Sequence, residues 1–135
     1  MTWCLVGSEM CIRDRSSVGA KGFVDVSNTI YAATKGSILS MTKTASQELG
    51  KYNINVNSIC PSPTYTDIVK KLVAKRASEQ KKTEKEIMDY YMRDVPLGRF
   101  NDPDDIASMV IFLSSSGARN ITGQSFNVDG GLIPS

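Results

Sequence analysis

Histidine is missing from all 135 residues, and tryptophan occurs once. Without an imidazole the usual zinc ligand sets and histidine-based triads are excluded, so any acid-base chemistry must fall to another side chain. Cysteine is scarce as well: Cys4, Cys11 and Cys60 are odd in number and lack metal-ligand spacing, so no metal site is expected. No apolar run approaches the roughly 18 residues that span a bilayer. No charged start, apolar stretch and small-residue cleavage site mark a signal peptide, and the chain is expected in the cytoplasm. Blocks of one charge sign are also absent. A net charge of +2 spread along the chain gives no footprint for nucleic acid or an anionic membrane.

What remains is the composition of an ordinary globular domain, 41% hydrophobic and 22% charged. The first fifteen residues, MTWCLVGSEMCIRDR, hold neither strand alternation nor helical spacing for long. MCIRDR is what the codons ATG TGT ATA AGA GAC and an AG-initial codon encode, a string that resembles a transposon end used in sequencing libraries. Residues 1–15 are therefore read as a foreign sequencing scar and set aside, together with Trp3, Cys4 and Cys11.

Gly19, Gly22, Asp25 and Asn28 predict a loop from Ser16 to Thr29 that leads into a helix. From Tyr31 the positions Ile38, Leu39, Thr42, Ala45, Ser46 and Leu49 recur at helical steps, with Gly50 and Asn53 as a stop. NINVNSI, 53–59, alternates apolar residues with asparagines and runs into Pro61 and Pro63, predicting a short strand that ends in a rigid loop. Asp67 to Asp94 are helical in composition, with a break near Lys82 and Thr83. Asn101 or Asp102 can cap a helix with Pro103 in its first turn and Asp104 and Asp105 beside its positive end. GQSFNV, 123–128, predicts a last strand closed by DGG. This order describes an α/β unit, but two strands cannot cover the apolar faces of so many helices, and further strands are expected upstream.

Five blocks occur in order: SS at 16–17, YAATK at 31–35, INVNSICPSPTYTDI at 54–68, PLGRFNDPDDIASMVIFLSS at 96–115 and ITGQSFNVDGG at 121–131. Together they resemble the C-terminal half of a short-chain dehydrogenase/reductase of the non-extended type. The resemblance implies a Rossmann-like doubly wound parallel sheet, incomplete because its first strands are missing, with residues 16–135 as the C-terminal half of an NAD(P)-binding domain. It also implies hydride transfer between NAD or NADP and a secondary alcohol or ketone of polyol, sugar-alcohol, acetoin or 3-oxoacyl type.

Residues four apart share a helix face, so Lys35 stands over the same site as the Tyr31 hydroxyl. A neighbouring cation favours a phenolate, and the absence of histidine then has a chemical explanation. By resemblance Tyr31 is the acid/base, Lys35 also binds the nicotinamide ribose, and Ser17 hydrogen-bonds the reacting oxygen, with Ser16 as the alternative. Ser17 lies fourteen residues before Tyr31; many relatives have thirteen, which here is Val18, so a one-residue insertion is implied. Pro61, Ser62, Thr64 and Thr66 fall where relatives cradle the nicotinamide carboxamide, although Ser62 and Pro63 depart from the usual Pro-Gly pattern.

KKLVAKRASEQKKTEKEIMDYYMRD, 70–94, falls where the family places a lid over substrate, and its lysines and arginines can meet a phosphate there. The plainer reading is a solvated helical face, since acidic residues interleave with the basic ones. The glycine-rich pyrophosphate loop would lie before residue 16, so this chain alone is expected to be inactive, and a homo-oligomer is implied for the full-length enzyme. A second reading makes it a noncatalytic, shortened relative that associates through the Tyr31 helix and the 123–128 strand.

Overall fold

The computed structural model describes residues 2–6, 9–21 and 28–134, with side chains from Asp14 onward. Of the loop predicted from Ser16, Gly22 and Asp25 lie outside the described residues, as do the side chains of Trp3, Cys4 and Cys11. The described part is an α/β sheet flanked by helices. Its four strands, β1 (Thr2–Val6), β2 (Glu9–Arg15), β3 (Ile54–Pro61) and β4 (Ser125–Val128), lie side by side in chain order. β2, β3 and β4 are parallel, and β1 joins the outer edge of β2 antiparallel.

Two of these strands fall in the segment that sequence reasoning set aside, which corrects the expectation that the sheet here has only two. The register runs from Met10 opposite Ile54 to Arg15 opposite Ile59, and the Ser16 N–H extends it to the Ile59 carbonyl at 2.8 Å. An open strand edge offers a row of unpaired backbone donors and acceptors, and these accept a neighbour with little regard for its side-chain pattern.

β3 is buried on both faces, which is the rule for the interior of a parallel sheet. Adjacent residues point to opposite sides, so Cys60 packs with Val18 and Ile133 on one face while Ile59 packs with Leu113 and Ala118 on the other. Helix α1 (Thr29–Leu49) contributes Leu39 to the first cluster. Helix α4 (Pro103–Leu113) contributes Ile106, Met109 and Val110 to the second.

The alternation of β3 includes a polar residue with a structural role. Asn57 is buried, its Nδ2 donating to the Ile121 carbonyl at 2.8 Å and its Oδ1 accepting from the Gln124 N–H at 3.1 Å. It thereby ties the turn before β4 to the strand. α1 sits close over this region because its buried side chains are small, Thr42 and Ser46. At Gly123, φ is +72° and a Cβ would lie 2.7 Å from Ser46 Oγ, so only glycine suits both the turn and the approach.

Between β3 and α4 the chain makes a helical pair, α2 (Asp67–Gln80) and α3 (Glu84–Met92), with its own small core of Val73, Ala77 and Ile87. Lys81 ends α2 in the left-handed conformation, and Thr83 starts α3 with a reciprocal cap to Glu86, so the break falls where the sequence placed it.

Candidate active site

An open cleft of about 1220 Å³ runs between the C-terminal end of β3 and the α2–α3 pair. Ser16, Ser17, Tyr31, Lys35, Pro61, Ser62, Thr64 and Thr66 all line it, so the structure brings together every site residue singled out from the sequence. Its position, outside the carboxyl ends of parallel strands, is where open α/β sheets bind ligands.

Asn28 caps α1 by accepting the Tyr31 N–H at 2.8 Å, which fixes the first turn and with it the partly exposed phenol. One turn on, Lys35 Nζ lies 5.9 Å from the Tyr31 ring centre and donates to the Arg15 carbonyl at 3.2 Å. That carbonyl ends β2, so the ammonium is held between helix and sheet.

The two serines differ in what they are committed to. Ser16 is buried and its hydroxyl donates to the Lys35 carbonyl at 2.8 Å. Ser17 Oγ accepts the Gly19 N–H at 3.1 Å, and among the described residues its hydroxyl donates to no acceptor. Behind them lies Cys60, fully buried; burial pushes its thiol up from the ordinary range, partly offset by Lys21 and by hydrogen bonds from the two serines.

The proline loop is pinned from several sides. The Ser62 N–H donates to the Val128 carbonyl at 3.2 Å, the Tyr65 N–H to the Asn101 carbonyl at 2.8 Å and the Thr66 N–H to the Thr64 carbonyl at 2.8 Å. Pro61 and Pro63 have no N–H to place. The Thr64 amide is then the remaining N–H of the loop, with no acceptor among the described residues. Thr66 starts α2 without a side-chain cap bond, which leaves its hydroxyl uncommitted as well.

Sequence reasoning missed Asn101 as a holder of this loop, treating it as an alternative cap. Asp102 makes the cap, with Asp105 reciprocating, and Asn101 is buried beneath the loop, donating through Nδ2 to Ser62 Oγ at 3.2 Å and to the Val128 carbonyl. The available signal was two cap-type residues in succession, of which only one can cap. Asp129 was missed too: its carboxylate accepts the N–H groups of Gly131 and Ile133, both at 2.9 Å, and sets Leu132 and Ile133 into the cleft wall. From the basic 70–94 segment, Arg76 and Arg93 reach the cleft.

A family model described as enoyl-(acyl carrier protein) reductase matches residues 7–133. A short-chain dehydrogenase family protein from Francisella tularensis superposes over 90% of this chain with a TM-score of 0.82 at 32% identity, the match covering 50% of that protein. The chain belongs to the short-chain dehydrogenase/reductase family. This dehydrogenase/reductase chain is also 39% identical over 117 residues to the 3-oxoacyl-(acyl-carrier-protein) reductase FabG of Chlamydia trachomatis, covering 87% of this chain and 42% of the relative. L-sorbose reductase from Gluconobacter frateurii, solved with NADPH and L-sorbose, covers 95% of it with a TM-score of 0.85 at 26% identity, over 49% of that enzyme. The dehydrogenase/reductase chain thus spans about two fifths of the length of the curated relatives it matches and about half of the solved structures.

Proposed function

We propose that this chain carries the proton-transfer half of an NAD(P)-dependent oxidoreductase that interconverts a secondary alcohol and a ketone. The observation that carries the reading is the convergence of Ser17, Tyr31, Lys35 and the 61–66 loop on one cleft. Three well-separated stretches of sequence supply these residues, and chance turn-formers or surface charges would not share a wall.

In the oxidation direction the hydroxyl proton of the substrate passes to Tyr31 Oη as its carbon becomes a carbonyl. Ser17, whose O–H has no acceptor among the described residues, hydrogen-bonds the reacting oxygen, and Lys35 places its ammonium 5.9 Å from the Tyr31 ring centre. A bound nicotinamide supplies the hydride acceptor, or the donor in the reverse direction. The residues present fit its carboxamide end: the Thr64 amide and the Thr66 hydroxyl both lack protein partners among the described residues. Pro61 and Ser62 hold that loop against β4 through the Ser62 N–H. The substrate class of this reading is a secondary alcohol or ketone of polyol, sugar-alcohol, acetoin or 3-oxoacyl type.

The test is to join a glycine-rich nucleotide-binding half ahead of Ser16 and follow NAD(P)H absorbance with polyol and 3-oxoacyl substrates. Turnover is expected, falling by about 10²–10⁴-fold in Tyr31→Phe. Equal rates in the two proteins would sink the acid/base assignment. The same reading treats residues 1–15 as a foreign leader, which sequencing an independent clone across the Arg15 and Ser16 codons checks. The reading as a noncatalytic relative that associates with longer family members gains if the joined protein stays silent while the 135-residue chain co-purifies with a longer member.

A further inference from the structure

The charged side chains that line the cleft are unbalanced. Among the described residues, Arg15, Lys35, Arg76 and Arg93 line it with a single carboxylate, Asp94, and that carboxylate is already taken by Arg93 Nε at 2.9 Å. Arg93 is further occupied, with its guanidinium 4.4 Å from the Tyr90 ring centre. Lys35 is held by the Arg15 carbonyl. Arg76 is different: among the described residues it has no carboxylate partner and no hydrogen-bond acceptor.

Its guanidinium lies 5.3 Å from the centre of the Tyr91 ring, and Tyr91 itself packs edge-on to Phe100 and Tyr90. Stacking on an aromatic face orients the planar fork without using any of its donors. The Tyr91 hydroxyl oxygen is buried yet has no hydrogen-bond partner, an arrangement that costs free energy unless something completes it. Arg76 and Tyr91 both line the cleft, so the ring orients the fork there, while the phenol oxygen itself stays buried behind it.

We propose that this wall is a subsite for an anionic oxygen group on the substrate, held by Arg76 with Tyr91 beside it. The substrate is then a hydroxy or keto compound whose tail ends in a phosphate or carboxylate, with the reacting carbon at Tyr31 and the anion at Arg76. Bidentate binding of either anion is the chemistry an arginine fork supplies best. The assignment deepens the oxidoreductase reading and rests on it for the location of the reacting carbon.

Equilibrium binding to the 135-residue chain separates the two ideas, because it needs no hydride transfer. Titrations with D-glucitol, D-glucitol 6-phosphate and 3-hydroxybutyrate, read by calorimetry or by amide shifts, compare the wild type with Arg76→Gln and Arg93→Gln. At least one anionic compound is expected to bind the wild type about tenfold more tightly than the neutral polyol, an advantage lost in Arg76→Gln and kept in Arg93→Gln. Which anion wins identifies phosphate or carboxylate as the source. Equal affinity for charged and neutral compounds, binding of none of them, or loss only in Arg93→Gln would each overturn the subsite. A positive result here together with no effect of Tyr31→Phe on turnover would remove the catalytic reading and leave the subsite standing.

Discussion

Asn101 makes four hydrogen bonds that join the proline loop to β4: two through its backbone, to Pro63 and Tyr65, and two through its amide, to Ser62 and Val128. Asn101→Ala removes both amide bonds, leaving Ser62 Oγ without this donor and the Val128 carbonyl with the Ser62 N–H alone, so a loss of about 1–3 kcal/mol is expected in urea unfolding. Cys60 gives a pH signature of the opposite kind. Burial favours its neutral thiol, so the native state keeps a proton that the unfolded chain releases above its ordinary pKa of 9.0. Its contribution is fully present below that value and declines as pH rises through the higher native one. Urea midpoints on either side of pH 9.0 should therefore fall more for the wild type than for Cys60→Ala. Local spacing revealed the pair Tyr31 and Lys35, because a helix converts four residues into one face. The role of Asn101 was illegible for the converse reason, since the groups it holds lie 39 and 27 residues away.

The same contrast holds for whole elements. The start of α4 and the break before α3 were readable because each depends on a cap three residues from its partner, Asp102 with Asp105 and Thr83 with Glu86. Asp102→Ala should cost about 1 kcal/mol in chemical denaturation. Hydrogen bonds from the Thr83 N–H and hydroxyl hold the Glu86 carboxyl below its ordinary 4.5. The α3 cap is thus complete above that value and is lost as pH falls through the lower folded one, which amide exchange in Glu84–Met92 will register. β3 was recognised as a strand, but the partners of its polar residues were not legible. A polar residue in an alternating pattern signals water only when no distant carbonyl awaits it, and Asn57 finds Ile121 at a separation of 64 residues.

Among the described residues the sheet has two outer strands, β1, which pairs with β2, and β4, which pairs with β3. Deleting Thr2–Val6 uncovers the outer backbone groups of Glu9–Arg15, and concentration-dependent association is the expected result, measurable by analytical ultracentrifugation. An unchanged monomer–oligomer distribution would mean that β1 covers nothing of consequence. On the opposite side, β4 docks on β3 with Ser58 and Ser125 sharing a hydrogen bond at 2.7 Å across 67 residues of chain. Closing a loop of that length carries an entropic cost before any contact within it is rewarded, and such non-local pairings slow folding. The α2–α3 pair, with its private core, can form early inside the open loop, whereas the floor beneath Ser62 needs Val128 from the far side of that loop. The cleft therefore has no floor until β4 docks on β3, and the non-local pairing that completes the sheet is the one that makes the binding site.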